Sequence, residues 1–181
     1  FKAREPCPIH EPCQVPRNFA WFPLLLTTLV LGLTGLGYVP VPGTAGSLTI
    51  LHIPVILAGV LCGPLPGLGV GLTFGLTNFW LMPPHDPLVQ IVPRVLCGGV
   101  AALVFWLARR HGNPDAQLTL GSMAAALSAS FTNTIGVVLL ATLKGHMPAQ
   151  EVLGVIVFHG FPEALLAVVV TLPFAVSRYR K

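Results

Sequence analysis

Leu88–Ala108 reads LVQIVPRVLCGGVAALVFWLA and carries one charge, Arg94, before the chain turns abruptly basic at Arg109 and Arg110. A helix needs about 20 apolar residues to cross a bilayer, so this stretch is a span with a cation inside it. Outward from it the pattern repeats. No charged residue lies between Arg17 and Asp86, and a second uncharged run goes from Ala116 to Leu143. Only 9% of the 181 residues are charged, 54% are hydrophobic and the mean hydropathy is +0.79. That is more apolar sequence than one soluble core of this length hides, and it excludes disorder, a coiled coil and a disulfide-stapled secreted scaffold.

Breaks at Pro, Gly and charge clusters divide the chain into six apolar segments: Phe19–Leu36, Leu48–Cys62, Pro64–Met82, Leu88–Ala108, Leu118–Leu143 and Val152–Val176. The expected fold is an all-α membrane protein of six transmembrane helices. A polar, Pro-rich tail occupies residues 1–18, one membrane domain residues 19–176, and a basic tail residues 177–181. The first apolar run continues to Leu36, lacks a clear A-x-A site and precedes equally apolar segments, so it reads as a span and not as a signal peptide. The second segment is the shortest, with a kink expected at Pro54. The chain opens on Phe1, which leaves room for residues ahead of it.

Basic residues set the orientation. With both termini cytoplasmic, the inner side holds Lys2, Arg4, Arg17, Arg109, Arg110, Arg178, Arg180 and Lys181, and the outer loops hold only Lys144. Outer loops then run from Val39 to Ser47, Pro83 to Pro87 and Lys144 to Glu151. The net charge of +4 reflects this asymmetry. Without a basic stripe interleaved with aromatics, nucleic acid is not an expected partner.

Polar residues inside spans are costly and face the protein interior or a cavity. On this orientation Arg94, Asn78, His52, Asn133, His159 and Glu163 all fall in the outer half or at the midplane. Ser130 lies one turn from Asn133, on a face with Ala126 and Gly136. Arg94 can pair with a carboxylate while Asn133 and Asn78 bond hydroxyl or amide groups, which describes an outward cavity for a small anionic or amphipathic molecule. The plainer reading has Arg94 paired with Glu163 or snorkelling outward, the asparagines hydrogen-bonding between helices, His52 a polar residue at a span entrance, and His159 with Glu163 a buried structural couple.

The string contains no H-E-x-x-H, G-x-S-x-G or Walker A motif, so no enzymatic activity is expected and ATP-driven work requires partner subunits. His159 and Glu163 lack an evident third metal ligand, and Cys7, His10 and Cys13 do not follow a standard zinc spacing, so neither a metal nor a cofactor is expected. Gly67, Gly71 and Gly75 form two G-x-x-x-G steps, with Thr28 and Gly32 a further small pair. These five serve either packing within the bundle or docking of another membrane subunit.

Several strings resemble a known family. They are SLTILHIPV at Ser47–Val55, AGVLCGP at Ala58–Pro64, FGLT at Phe74–Thr77, DPLV at Asp86–Val89, Pro93-Arg94, and SFTNT at Ser130–Thr134. They are similar to the substrate-binding S components of energy-coupling factor (ECF) vitamin transporters, most of all the pantothenate-type branch. The resemblance runs over about residues 19–176. It implies a multi-pass subunit of the cell membrane that captures a vitamin such as pantothenate from outside and is closed over by the loop between spans one and two. It also implies docking on a transmembrane T component that carries two ATPases. An S component for another vitamin, riboflavin or folate among them, is the nearest alternative. A self-contained secondary carrier would be expected to show two related halves, and no internal repeat is evident.

Overall fold

The structure, a computed structural model, describes residues 21–40, 47–110 and 114–179. The tail with Cys7, His10 and Cys13, the basic residues Lys2, Arg4, Arg17, Arg180 and Lys181, and part of the first outer loop lie outside the described residues. Helices α1 (Trp21–Leu33), α2 (His52–Cys62), α3 (Pro64–Leu81), α4 (Pro87–Ala108) and α5 (Pro114–Leu143) are followed by a continuous rod. That rod is built from α6 (Val152–Val155), a π turn (Ile156–Gly160) and α7 (Phe161–Tyr179). Six helical rods therefore match the six apolar segments. Three of them, Pro87–Ala108, Ala116–Leu143 and Ala149–Tyr179, are long and apolar enough to cross a membrane.

Proline marks the helix starts. Pro64, Pro87 and Pro114 open α3, α4 and α5, where the missing N–H would have had no intrahelical partner. Pro54 lies in the first turn of α2, where the same logic applies, so the expected kink there does not follow. In the last rod, Pro162 withholds the N–H that would serve the Phe158 carbonyl, and the π turn falls on these residues.

A loop feature absent from the sequence reading lies between α1 and α2. Strands β1 (Tyr38–Pro40) and β2 (Ser47–Thr49) pair antiparallel, with Tyr38 opposite Thr49 and Val39 opposite Leu48. Helix α2 follows it directly and is buried from His52 to Val60, touching α1, α3, α4, α5 and α7. A helix buried all round is a hub.

The polarity of the molecule is that of a protein in lipid. Its interior is rich in small residues, including Ala101, Ala125, Ala126, Ala129, Ala164 and Ala167, together with buried polar groups. Large apolar side chains such as Leu103, Leu139, Leu165, Val169 and Trp80 point outward. Small interior residues let helices approach without a hydrophobic drive between them.

The glycines show how close that approach is. A Cβ on Gly71 would run into the Arg94 carbonyl oxygen, one on Gly75 would lie 2.8 Å from Ile91 Cα, and one on Gly67 2.7 Å from the Gly98 carbonyl oxygen. Gly32 of α1 sits against Thr77 in the same way, and Thr28 is fully buried on that face. Helix α4 thus fills the face carrying Gly67, Gly71 and Gly75, and α3 meets Gly32. The docking reading of these five residues gives way to packing within the bundle.

The seam yields a paired prediction. Gly71→Ala drives a methyl into backbone that cannot yield and should lower the stability of the detergent-extracted protein by about 1–3 kcal/mol. Gly69→Ala meets nothing within 4 Å and should leave stability unchanged or raise it by up to about 1 kcal/mol. Thermal melts of the two variants check the contrast.

Candidate ligand-binding site

Helix α4 begins at a strong cap. Asp86 Oδ1 accepts from the Leu88 N–H at 2.9 Å and the Val89 N–H at 3.4 Å. Its Oδ2 lies 3.4 Å from Lys144 Nζ and 3.5 Å from His146 Nε2, which ties the α3–α4 loop to the loop after α5. Burial acts to raise the Asp86 carboxyl, but the two backbone N–H groups, His146 and the Lys144 charge bring it below the usual carboxylate range.

Two turns further along, Pro93 has no N–H to give the Val89 carbonyl. Arg94 supplies the missing donor. Its Nη1 donates to Val89 O at 2.8 Å, reaching back toward the helix start as helical side chains do. With the Asn78 amide turned so that both ends are satisfied, its oxygen accepts from Arg94 Nη2 at 2.7 Å and Nε at 3.2 Å, and its NH₂ meets the Tyr38 hydroxyl. The Phe74 ring centroid lies 5.2 Å from the guanidinium carbon, a cation–π contact. Burial raises the Tyr38 hydroxyl pKa, with the Arg94 charge opposing, so the phenol stays neutral.

Arg94 has five N–H groups, and three are engaged by these neutral partners. Among the described residues, one N–H on each terminal nitrogen remains without a partner. The side chain is only 6% exposed, and among the described residues the ion pairs are those of Asp86 with Lys144 and His146. The expected alternative of an Arg94–Glu163 ion pair is therefore corrected. Each of these groups is held elsewhere.

Glu163 organises a second cluster. Its Oε1 accepts from the Thr49 N–H at 2.6 Å, and its Oε2 from the Thr134 hydroxyl at 3.3 Å. Its backbone carbonyl accepts from His52 Nε2 at 3.3 Å, which assigns the proton to that nitrogen. His159, one turn before Glu163, is buried on the π turn, and Gly160 beside it lets Thr134 approach. Both strands of the hairpin are thereby tied to the bundle interior, β1 through Tyr38 to the Arg94 cluster and β2 through Thr49 to Glu163.

Helix α5 lies between the two clusters. Gly136 packs on Pro93, and Thr134 reaches Glu163. One turn before Gly136, Asn133 is 4% exposed with Oδ1 lacking a partner among the described residues, and Ser130 Oγ is buried in the same condition. Ser128 and Thr132, by contrast, return their hydroxyls to carbonyls four residues back. Buried polar atoms without partners are rare in native proteins, and a polar guest would satisfy these two, Asn133 Oδ1 as an acceptor and the Ser130 hydroxyl as a donor or acceptor.

The sequence-predicted residues are thus brought together in two groups, Arg94 with Asn78 and Glu163 with His52, while Ser130 and Asn133 stand on α5, which meets Pro93 through Gly136 and Glu163 through Thr134. Tyr38, Thr49, Thr134 and Phe74 complete the site and were not singled out for it. Thr134 stands beside Asn133 in the quoted SFTNT string, and the local signal for Tyr38 was a lone phenol at the end of span one. Two apolar grooves lie elsewhere on the surface. One of about 370 Å³ between α4 and α5 is lined by Leu96, Phe131 and Ile135, and one of about 280 Å³ between α1 and α3 by Leu33, Leu76 and Trp80.

Comparison with known proteins places this geometry. The family model described as "ECF transporter, substrate-specific component" matches residues 22–175. The chain belongs to that family. S components are substrate-binding transport subunits and not enzymes; they work with a T component and ATPase subunits, and the ATPase lies in those partners. The pantothenic acid transporter PanT of Lactococcus lactis subsp. cremoris (strain MG1363) is 27% identical over 153 residues, covering 68% of this chain and 73% of that protein. A solved structure titled "Structure and mechanism of the S component of a bacterial ECF transporter" superposes with a TM-score of 0.54 at 22% identity. It covers 91% of this chain and 94% of the other, and the S-component fold is shared. The chain is an integral membrane protein, as its family and its three long apolar helices require.

Proposed function

We propose that this S component captures pantothenate from outside the cell for ATP-driven uptake. The observation that carries the reading is Arg94, a buried guanidinium that among the described residues is held by a carbonyl, an amide oxygen and a ring, with one N–H on each terminal nitrogen left without a partner there. A buried cation without a paired anion is costly, and a ligand carboxylate offsets that cost with a charge-assisted bond. Asn133 and Ser130 then receive the ligand's hydroxyl and amide groups, with Asn78 positioning Arg94. His52 and Glu163 hold the wall behind β2, and His159 lies beside them. The likeness to PanT supports pantothenate over other vitamins.

The hairpin between α1 and α2 covers the site, tied down by Tyr38 and Thr49. Six spans with both termini cytoplasmic put this hairpin outside, as the eight-to-one distribution of basic residues favours. The partners are a transmembrane T component and two ATPase subunits in the cell membrane.

Two experiments test this reading. Calorimetry on the detergent-extracted protein should show pantothenate binding, with Arg94→Ala weakened by about 2–5 kcal/mol. Lys144→Ala, which removes an exposed pair, should change it by less than about 1 kcal/mol. Binding of riboflavin or folate in place of pantothenate would move the chain to another vitamin branch. For orientation, single cysteines at His85 and Gly145 in an otherwise Cys-free chain should react with an impermeant thiol reagent in intact cells, and one at Arg110 should not. The reverse pattern would refute an outward site.

A further inference from the structure

Gln90 is a polar side chain of α4 that the ligand assignment above leaves unused. It is 3% exposed and sits one helical turn before Arg94, on the same buried face. Its Nε2 donates to the Met82 carbonyl at 3.3 Å and the Pro84 carbonyl at 3.0 Å. Both partners are acceptors, so the amide cannot be turned over, and Oε1 is fixed as an acceptor. That oxygen is buried and has no partner among the described residues.

Its surroundings connect it to the Arg94 cluster. Arg94 reaches back across the turn that carries Gln90 to bond the Val89 carbonyl. The Asn78 side chain that holds Arg94 belongs to a residue whose carbonyl accepts from the Met82 N–H, and Met82 in turn receives the Gln90 amide. Gln90, Met82, Asn78 and Arg94 are thus linked in series by hydrogen bonds at the outer ends of α3 and α4. A guanidinium with donors unpartnered among the described residues and a fixed acceptor stand on one stretch of helix wall.

We propose that Gln90 Oε1 accepts a hydrogen bond from a hydroxyl or amide N–H of the acid whose carboxylate Arg94 holds, making Gln90 a selectivity residue for donor-bearing carboxylic acids. The proposal rests on the pantothenate reading and adds a constraint to it. An acid of similar size with a purely apolar chain would leave the Gln90 oxygen buried and unpaired, and sites that hydrogen-bond a substrate hydroxyl discriminate strongly against analogues that lack it.

The test is a cycle between protein and ligand. Calorimetry on the full chain in detergent compares wild type with Gln90→Met, which keeps length and removes both polar atoms. The ligands are pantothenate, its two monodeoxy forms and its N-methyl amide, each analogue lacking one donor. One of the three should bind wild type about tenfold or more weakly than pantothenate, and that penalty should shrink to about twofold or less in Gln90→Met. If Gln90 only tethers the α3–α4 loop, the variant weakens pantothenate and all analogues by one common factor, which overturns the proposal and leaves the pantothenate reading standing. The proposal also falls, with no variant needed, if all three analogues bind wild type within about twofold of pantothenate. Absence of pantothenate binding to wild type would overturn both together.

Discussion

The bond between Arg94 and the Val89 carbonyl is the contact on which the rest of the site depends. Pro93 creates the need for it by withholding a backbone donor in mid-helix, and the next residue fills the need with a guanidinium. A charge that would otherwise swing outward is thereby fixed against its own helix. Asn78 grips the second edge of the guanidinium and Phe74 lies against it, so the groups seen in contact with the cation among the described residues are neutral. Among the described residues no carboxylate lies within ion-pair reach of this charge, and in the proposed reading a carboxylate guest would complete it.

The helix packing serves that placement. Gly71 allows α3 to lie directly on the Arg94 backbone, and Gly75 does the same one turn further out at Ile91. Larger residues there would push α3 away and carry Asn78 out of reach of the guanidinium. The hairpin depends on the same geometry from the other side, since the phenol of β1 rests on Asn78 while an N–H of β2 rests on Glu163. The candidate site and the hairpin therefore share their supporting residues. A ligand that shifts Arg94 or the α5 face acts on the contacts that hold the hairpin down.

Much of this was legible in the string. The six apolar segments were bounded by charges and prolines, and α3, α4 and α5 begin at prolines because a first-turn residue loses nothing by lacking an N–H. The candidate site residues were singled out by one criterion, the cost of a polar group in lipid, which needs no knowledge of the fold. What stayed hidden depends on relations between distant segments. The i, i+4 glycine spacing of α3 fits both a foreign helix and α4, and only the packed backbone distinguishes them. Likewise Arg94 and Glu163 are complementary charges at similar depth, and the string does not reveal that Thr49 and Thr134 already hold the carboxylate. The hairpin escaped notice because its strands are three residues long and draw their order from Tyr38 and Thr49 contacts across the bundle.

The central claim is that Arg94 receives the ligand carboxylate. A crystal structure of the protein with bound pantothenate tests it most directly. The account predicts the carboxylate oxygens within about 2.7–2.9 Å of Arg94 Nη1 and Nη2, with Val89 O and Asn78 still holding the opposite edges of the guanidinium. A carboxylate resting on Lys144, or anywhere beyond hydrogen-bond reach of Arg94, would contradict it.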